Sequence, residues 1–441
     1  MLYRGDLLVL KIYEIRDPIY GFIEMDSWER DIIDHPAFQR LRRIKQLAWT
    51  DMVYPGAVHT RFEHSLGVMH LATKMYESIV KKKRDYLVKY LGFNDNGLEI
   101  DKKFIRLACL LHDIGHSPFS HAGEELMDIN PDIVNFGVEN EGRYKHEDYS
   151  AAIVKYKFKK VIDEHPHNEN YHITVEQISD FLKGSIGLGR RLLWRNLVDG
   201  QIDADRADYL LRDSYHTGTS YGNYDLKRLL VTLTILEEPE TQTPVIAVEE
   251  GGVHAAEALI IARYLMFTQV YFHHTRRAYD YHIAETMKGL LFQETGRSTF
   301  LPPTSPKNID NYLEWDDWKV CGLLSQGEGG RNGDLLKERK HHRCIFCTPE
   351  VPTEDELKQS NAALGKLSEL IRFVDSPEKS WYSIGEKDIL IERDVSGIKE
   401  VVPLSSISSV VRGLLPIRQR RIYVAKEDRD SAKLKLKGKE G

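Results

Sequence analysis

Residues 105 to 124 read IRLACLLHDIGHSPFSHAGE, and they restrict the fold more than any other stretch of the chain. Leu107, Leu110, Leu111 and Ile114 recur at steps of three and four, which predicts a helix with its apolar stripe in a core. That helix delivers an adjacent His112 and Asp113. Helical geometry predicts His112 and His116 on one face, with Asp113 about 100° round from His112. Gly115 and Pro118 then end or kink the helix, leaving Ser117, Ser120 and His121 on the turn beyond.

An adjacent imidazole and carboxylate at the end of a buried helix can each give one ligand to a divalent ion. Two ligands hold a metal poorly, so at least one more His and one more carboxylate are expected on other buried helices. His64 opens a helical segment in HTRFEHSLGVMHLA, with Leu66, Met69, Leu71 and Ala72 at helical spacing and Arg61 and His59 beside it. Asp205 lies in DGQIDADRADYLLRDSYHTG, where Ile202, Tyr209 and Leu210 are spaced for one helix face. Any one of the four alone reads more simply as a buried polar residue satisfied by hydrogen bonds; the ordered set predicts metal. Mixed nitrogen and oxygen ligation suits Mn, Fe, Co, Ni or Zn. Such an ion lowers the pKa of a bound water and polarises a phosphoryl oxygen, which is the chemistry of phosphoester hydrolysis.

The chain has 441 residues, more than one ordinary core, so a large domain with a smaller one is expected. A net charge of −6 gives no global bias toward nucleic acid or acidic membranes, so local arginines, lysines and metal must handle any anionic substrate. No run approaches a membrane span, and the N-terminal apolar stretch is short and carries charges, unlike a signal peptide. Four cysteines in a chain this long fit a reducing compartment, and the reading is cytoplasmic.

Leu7 to Met25 alternates apolar and polar residues and predicts a hairpin around Asp17-Pro18 and Gly21. From Trp28 to about residue 225 the pattern is helical, broken at Pro36, Pro55-Gly56 and 94–97, with a long loop expected over 128–145. Residues 231–248 predict an exposed hairpin, and one long helix is expected from His254 to Leu291. QETGRSTFLPPTSP, residues 293–306, has linker composition. The expected division is a mainly α core over 1–292, a smaller α+β region over 307–425, and a charged flexible tail over 426–441. Cys344 and Cys347 form a CxxC near His341 and His342, but RCIFC reads as a strand, where positions three apart face opposite sides, so zinc is not expected.

His64, His112-Asp113 and Asp205, with FQRLRRIKQL, RFEHSLG, LLHDIGHSPFSH, KHE and DADRADYLLRDS around them, resemble the HD-domain phosphohydrolase superfamily. The wording is similar to its dNTP triphosphohydrolase branch, which includes the animal SAM- and HD-domain enzyme, from about Asp17 to Tyr279 and more weakly beyond. The resemblance implies an HD-domain helical core and cleavage of a dNTP at the α-phosphate to deoxynucleoside and triphosphate. It implies His64, His112, Asp113 and Asp205 as metal ligands, with Mg on the substrate phosphates. His121 would be the general acid oriented by Glu124, with His116 and His146 around the phosphate. Arg61, Arg206, Tyr209 and Asp213 would hold triphosphate and sugar, Gln46 and Leu47 would read the sugar, and Tyr279 would stack on the base. Arg206 stands where the animal enzyme has lysine, and Thr275 where it has histidine, which puts the base contacts in question. Asp34, Gln39 and Arg42, with Arg339 and Arg343, match positions of a nucleotide activator site, implying a homo-oligomer, dimer or tetramer.

Two rivals stand beside this reading. One is an HD-type phosphodiesterase or nuclease on another nucleotide or a nucleic-acid end, opposed by the acidic charge balance and the absence of a basic stripe. The other is a nucleotide sensor without turnover.

Overall fold

The computed structural model describes residues 11–131, 142–379, 382 and 388–438. Parts of the expected hairpin (7–10), loop (132–141) and charged tail (439–441) lie outside the described residues.

The chain opens with β1 (Ile12–Asp17) and β2 (Gly21–Asp26), an antiparallel hairpin. Asp17 closes its turn by accepting the Ile19 and Tyr20 amides at 2.9 Å, and Gly21 supplies the left-handed φ of +83°. A mainly helical core follows: α1 (Ser27–Asp34), α2 (Pro36–Gln39), α3 (Arg61–Tyr90), α4 (Asp95–Leu111), α5 (His146–Lys157), α6 (Lys159–Ile162), α7 (Val175–Lys183), α8 (Leu192–Arg195), α9 (Ala204–Thr217) and α10 (Leu226–Thr232). The expected apolar stripes are buried: Met69, Ala72 and Met75 of α3 pack with Phe104, Leu107 and Leu111 of α4 in one core. Among the described residues no helix is long and apolar enough to cross a membrane.

Two buried carboxylates join the hairpin to this core. Asp26 and Glu29 form the capping box of α1, and Glu29 also pairs with Lys103 at 2.7 Å and Arg106 at 2.6 Å on α4. Burial would raise the Glu29 pKa, but the hydrogen bonds and charge of Arg106, with Lys103 behind it, hold it at about 2. A depressed carboxylate stabilises the fold above its unfolded pKa and loses that contribution as pH falls. Stability is therefore expected to drop by about 3 kcal/mol between roughly pH 4.5 and 2 from this group. Glu29→Gln should flatten that acid limb in urea titrations; an unchanged limb would refute the assignment.

The hairpin expected at 231–248 is present as β3 (Leu233–Glu237) and β4 (Pro244–Glu249), but it is not a free surface ribbon. β4 pairs in parallel with a much later strand, Val248 opposite Ile391, inside a four-stranded sheet.

The single helix expected from His254 to Leu291 is two: α11 (Val253–Met266) and α12 (His274–Thr295), separated by a widened turn at Phe267–Tyr271. Proline is not the cause. The Phe272 amide reaches back five residues to the Phe267 carbonyl at 2.8 Å, Arg276 takes the Tyr271 carbonyl at 2.7 Å, and His273 caps α12.

The stretch 293–306 is docked rather than a loose linker. Gly296 ends α12, the Phe300 amide bonds the Leu126 carbonyl at 2.8 Å, and Tyr149 bonds the Leu301 carbonyl at 2.8 Å. α13 (Pro306–Leu313), α14 (Asp317–Ser325) and α15 (Gly330–Lys337) follow, and Ile309, Tyr312, Trp315, Val320 and Leu336 join the main core.

The C-terminal part holds β5 (Arg343–Cys347), α16 (Glu354–Leu367), β6 (Ile371–Asp375), β7 (Glu378–Lys379), β8 (Leu390–Val395), β9 (Ile398–Pro403), α17 (Leu404–Ile407), α18 (Ser409–Gly413), β10 (Ile417–Arg418) and β11 (Arg421–Val424). β8 and β9 complete the sheet of β3 and β4, while β11 lies between β5 and β6. The charged stretch expected as a flexible tail carries α19 (Arg429–Leu436). Ala432 and Leu436, one turn apart, pack on Ala363 and Leu367 of α16 while the lysines between them face outward.

RCIFC is a strand, but a bulged one. Opposite β11, Cys347 faces Arg421, Phe346 faces Ile422 and Cys344 faces Tyr423, leaving Ile345 as the extra residue. Cys344 and Cys347 therefore share one face, contrary to the expectation from a regular strand.

Candidate metal centre and adjoining pocket

Thr60 and Glu63 box the start of α3, which sets His64 in its first turn, fully buried. α4 ends at Leu111, so His112 to His116 form a turn, and His112 and His116 do not share a helical face as expected. Gly115 is needed there: any Cβ would run into the backbone of His146 and Ser150 on α5. That contact brings His146 to the turn. Asp203 caps α9 by accepting the Arg206 amide at 2.7 Å, which leaves Asp205 in the first turn. Gly67 of α3 lets the Asp208 and Arg212 side chains of α9 approach.

These elements converge His64, His112, Asp113 and Asp205. His64 Nε2 lies 2.9 Å from Asp205 Oδ1 and 3.5 Å from Asp113 Oδ2. His112 Nε2 lies 3.3 Å from Asp113 Oδ1 and 3.7 Å from Asp205 Oδ1. The outer ring nitrogens are taken, His64 Nδ1 by Asp208 at 2.8 Å and His112 Nδ1 by the Cys109 carbonyl at 2.7 Å. With each Nδ1 donating outward, both Nε2 lone pairs face inward, as metal-bound imidazoles require. His112 Nε2 is buried and has no hydrogen-bond partner among the described residues. Burial opposes a charge on His64, but Asp205 and then Asp208 overcome it and raise its pKa to about 10. Positive charge is thus favoured at this point, carried either by a proton on His64 or by a metal ion in its place, and the donor set fits a divalent transition metal.

Next to it lies a second histidine group. His116 Nε2 is 3.3 Å from Asp113 Oδ1, and its ring stacks on His146 at 3.9 Å. Glu124 is shared: Oε1 meets His146 Nδ1 at 2.7 Å and Oε2 meets His121 Nδ1 at 2.9 Å. Burial is opposed by the charges of Glu147 and Glu124, which raise His146 to about 9; burial and the nearby Arg61 push His116 well down. His121 is 62% exposed and faces the pocket.

The turn that presents His121 is strained. Phe119 and Ser120 both sit at positive φ, 57° and 55°, which side chains with a Cβ adopt only under constraint. The constraints come from far along the chain. Asp317, at the start of α14, accepts the Phe119 amide at 2.7 Å and the Lys45 amide at 2.8 Å. Arg40 bonds the His116 carbonyl at 3.0 Å and the Trp315 carbonyl at 2.9 Å.

A cavity of about 450 Å³ opens beside Asp205, lined by Gln46, Leu47, Arg61, His121, Arg206, Tyr209, Asp213 and, from the α11–α12 break, Tyr271 and Phe272. Arg263, Arg276 and Arg277 also line it. Arg61 pairs with Asp113 and bonds Ser120 Oγ at 2.9 Å. Arg206 leans back to Gly200 and Asp203. Asp213 is engaged by His59 at 2.8 Å and the Tyr271 hydroxyl at 2.6 Å. Tyr279 is 0% exposed, its ring centroid 6.2 Å from Trp49 and 4.6 Å from His341. The helix break places Tyr271 and Phe272 at the cavity.

The residues expected at an activator site are engaged locally within the single chain. Gln39 bonds Arg42 at 2.9 Å, Asp34 pairs with Arg30 at 3.4 Å, Arg339 reaches the Met52 carbonyl at 3.4 Å, and Arg343 contacts His341.

Sequence reading missed Asp208, Arg263, Arg40 and Asp317. Asp208 could have been found, since it lies three residues after Asp205 and four before Arg212 on one helix side. Arg40 and Asp317 act across the fold and leave no local signal.

An HD-domain family model matches residues 61–213, and a model of the HD-associated region matches 224–343. An uncharacterised protein of Methanocaldococcus jannaschii is 38% identical over 334 residues, 75% of this chain and 58% of its own length. The deoxynucleoside triphosphate triphosphohydrolase SAMHD1 homolog of Dictyostelium discoideum is 32% identical over 333 residues, 74% of this chain and 57% of its own. The chain thus spans little more than half the length of these curated relatives. A crystal structure of a hypothetical protein from Aquifex aeolicus superposes with a TM-score of 0.75 at 30% identity, covering 97% of this chain and 100% of that one. Matches that begin at the helix bearing His64, end beside Asp213 and continue through the α11–α12 break leave one conclusion: the chain belongs to the HD-domain phosphohydrolases that carry an HD-associated region.

Proposed function

We propose that the chain hydrolyses deoxynucleoside triphosphates to deoxynucleoside and triphosphate, with His64, His112, Asp113 and Asp205 holding a divalent transition metal. The observation that carries this reading is the cavity wall beside those ligands, where Arg61, Arg206, Arg263, Arg276 and Arg277 gather five guanidinium groups. A triphosphate is the nucleotide moiety that such a wall matches in charge and reach. When bound, the metal supplies a Lewis acid at the phosphoryl group and an acidified water.

The remaining steps fall to side chains of the chain. Arg61 bridges Asp113 and the His121 turn, and so fixes phosphate-binding charge against the metal ligands. His121 delivers a proton to the departing 5′ oxygen, oriented by Glu124, which His146 shares. His116, kept neutral by burial, donates a hydrogen bond rather than a charge. Gln46 Oε1 is buried without a hydrogen-bond partner among the described residues, which suits it to accept from a sugar hydroxyl. Leu47 packs beside it and leaves little room for a 2′ hydroxyl. Asp34 and Arg42, both exposed, together with Gln39, Arg339 and Arg343, are proposed contacts of an activating nucleotide in a homo-oligomer.

The test is incubation with each dNTP and NTP in Mn²⁺, singly and in mixtures, with products separated by chromatography. Intact triphosphate and deoxynucleoside are expected. Digestion of labelled oligonucleotides instead would favour the nuclease reading, and binding without product would favour a sensor. Leu47→Ala is expected to raise kcat/KM for ribonucleotides about ten-fold relative to dNTPs. An unchanged ratio would remove Leu47 from sugar selection.

A further inference from the structure

The bulge in β5 puts Cys344 and Cys347 on the face that also carries Arg421 and Tyr423 of β11 and Asp375 and Phe373 of β6. Two rows run across the three strands: Cys347, Arg421 and Asp375 in one, Cys344, Tyr423 and Phe373 in the next. The two sulfurs interact with each other, so the spacing that would separate them on a regular strand brings them together here. Cys347 is exposed and Cys344 is partly covered. Neither is paired in a disulfide.

The surroundings differ for the two thiols. The Cys344 thiol donates to the Phe346 carbonyl at 3.3 Å and the Cys347 thiol to the Thr348 carbonyl at 3.2 Å, the two sulfurs neighbour each other, and Arg421 lies against the Cys347 sulfur. The neighbouring Cys344 thiol, with the help of Arg421, lowers the Cys347 pKa to about 6 against burial. The proximity of Cys347, with burial behind it, raises Cys344 strongly. Tyr423 stacks on Phe373 at 4.2 Å in the same row as Cys344. An exposed, cation-supported sulfur beside a shielded one is the arrangement that dithiol exchange uses. A structural zinc site would need two more donors on this face. Its other flanking groups are Arg421, Asp375 and two aromatic rings, and Asp375 is already bonded to Arg277 at 2.7 Å.

We propose that Cys344 and Cys347 form a redox-active dithiol site that accepts oxidation from a low-molecular-weight disulfide, with Cys347 as the attacking sulfur and Cys344 as the resolving one. The Cys347 thiolate attacks one sulfur of the small disulfide, forming a mixed disulfide and releasing one small thiolate. Cys344 then gives its proton to that thiolate and attacks the Cys347 sulfur. The Cys344–Cys347 disulfide forms, the second small thiolate leaves, and it takes a proton from solvent. Two electrons pass from the protein to the small disulfide, which ends as two thiols. Asp375 ties Arg421 to Arg277, which lines the phosphohydrolase pocket, so the site lies one ion pair from that pocket wall.

The experiment uses the full chain, reduced, in graded mixtures of oxidised and reduced glutathione at pH 7, followed by alkylation and mass analysis of the peptide carrying both residues. Loss of two hydrogens from that peptide with rising oxidised glutathione is expected. In Cys344→Ser a glutathione adduct on Cys347 should accumulate, and in Cys347→Ser neither adduct nor internal disulfide should form. In the unmodified chain Cys347 should alkylate roughly ten-fold or more faster than Cys321, whose thiol burial pushes up to about 11. A peptide that stays fully alkylable in the most oxidising mixture, or a Cys347 no faster than Cys321, would overturn the proposal.

Discussion

Asp205→Ala is expected to abolish metal-dependent turnover, with kcat/KM down about 1,000-fold or more, while the chain stays folded. Metal catalysis of this kind supplies several kcal/mol of charge stabilisation, and each 1.36 kcal/mol is ten-fold in rate. Asp205 Oδ1 is the oxygen that approaches both His64 Nε2 and His112 Nε2, so its removal opens the ligand set at the point where the two imidazoles meet. It is also partly exposed at the cavity, so an alanine leaves no large buried hole. The check pairs a Mn²⁺ titration with a steady-state assay and a circular dichroism melt. Wild-type turnover in a variant that no longer binds the metal would sink the metal-centred mechanism.

Asp208→Asn is expected to have the next largest effect, and on two quantities at once. Asp208 is buried, meets His64 Nδ1 at 2.8 Å and forms a two-point pair with Arg212 at 2.9 Å, and Arg212 goes on to Asp17 at 2.8 Å. The asparagine keeps the shape and removes the charge. Metal affinity should fall about 10- to 100-fold, because His64 loses the carboxylate that fixes its tautomer and raises its basicity. Stability should fall by about 3 kcal/mol, because Arg212 is left with only part of its counter-charge in a dry site. Calorimetric metal titration and urea unfolding separate the two. A stable variant with unaltered metal affinity would show that His64 is positioned by α3 alone.

Much of this was legible in the chain. Apolar spacing announced α3, α4 and α9, and the residues His64, His112, Asp113 and Asp205 stood in order in the sequence before the helices brought them within ligand distance. Periodicity reports which helices are buried, and His64 and Asp205 lie on such helices while His112 and Asp113 directly follow one. It does not report where a ladder of hydrogen bonds changes step. The widened turn at Phe267–Tyr271 divided the expected single helix, and the extra residue Ile345 put on one face the two cysteines that a regular strand would have separated. The same limit hid Arg40 and Asp317, whose partners at His116 and Phe119 are remote in sequence. The tail at α19 was misread because its charged residues outnumber the two apolar positions that dock it.

The parallel pairing of Val248 with Ile391 has a consequence for the order of assembly. During synthesis the HD helices and the β3–β4 hairpin are complete long before β8 leaves the ribosome. Until then β4 presents an open row of amides and carbonyls, the kind of edge to which another nascent chain can add. The late strand therefore does two things on arrival: it closes the sheet, and it ends the interval in which neighbouring chains can compete for that edge.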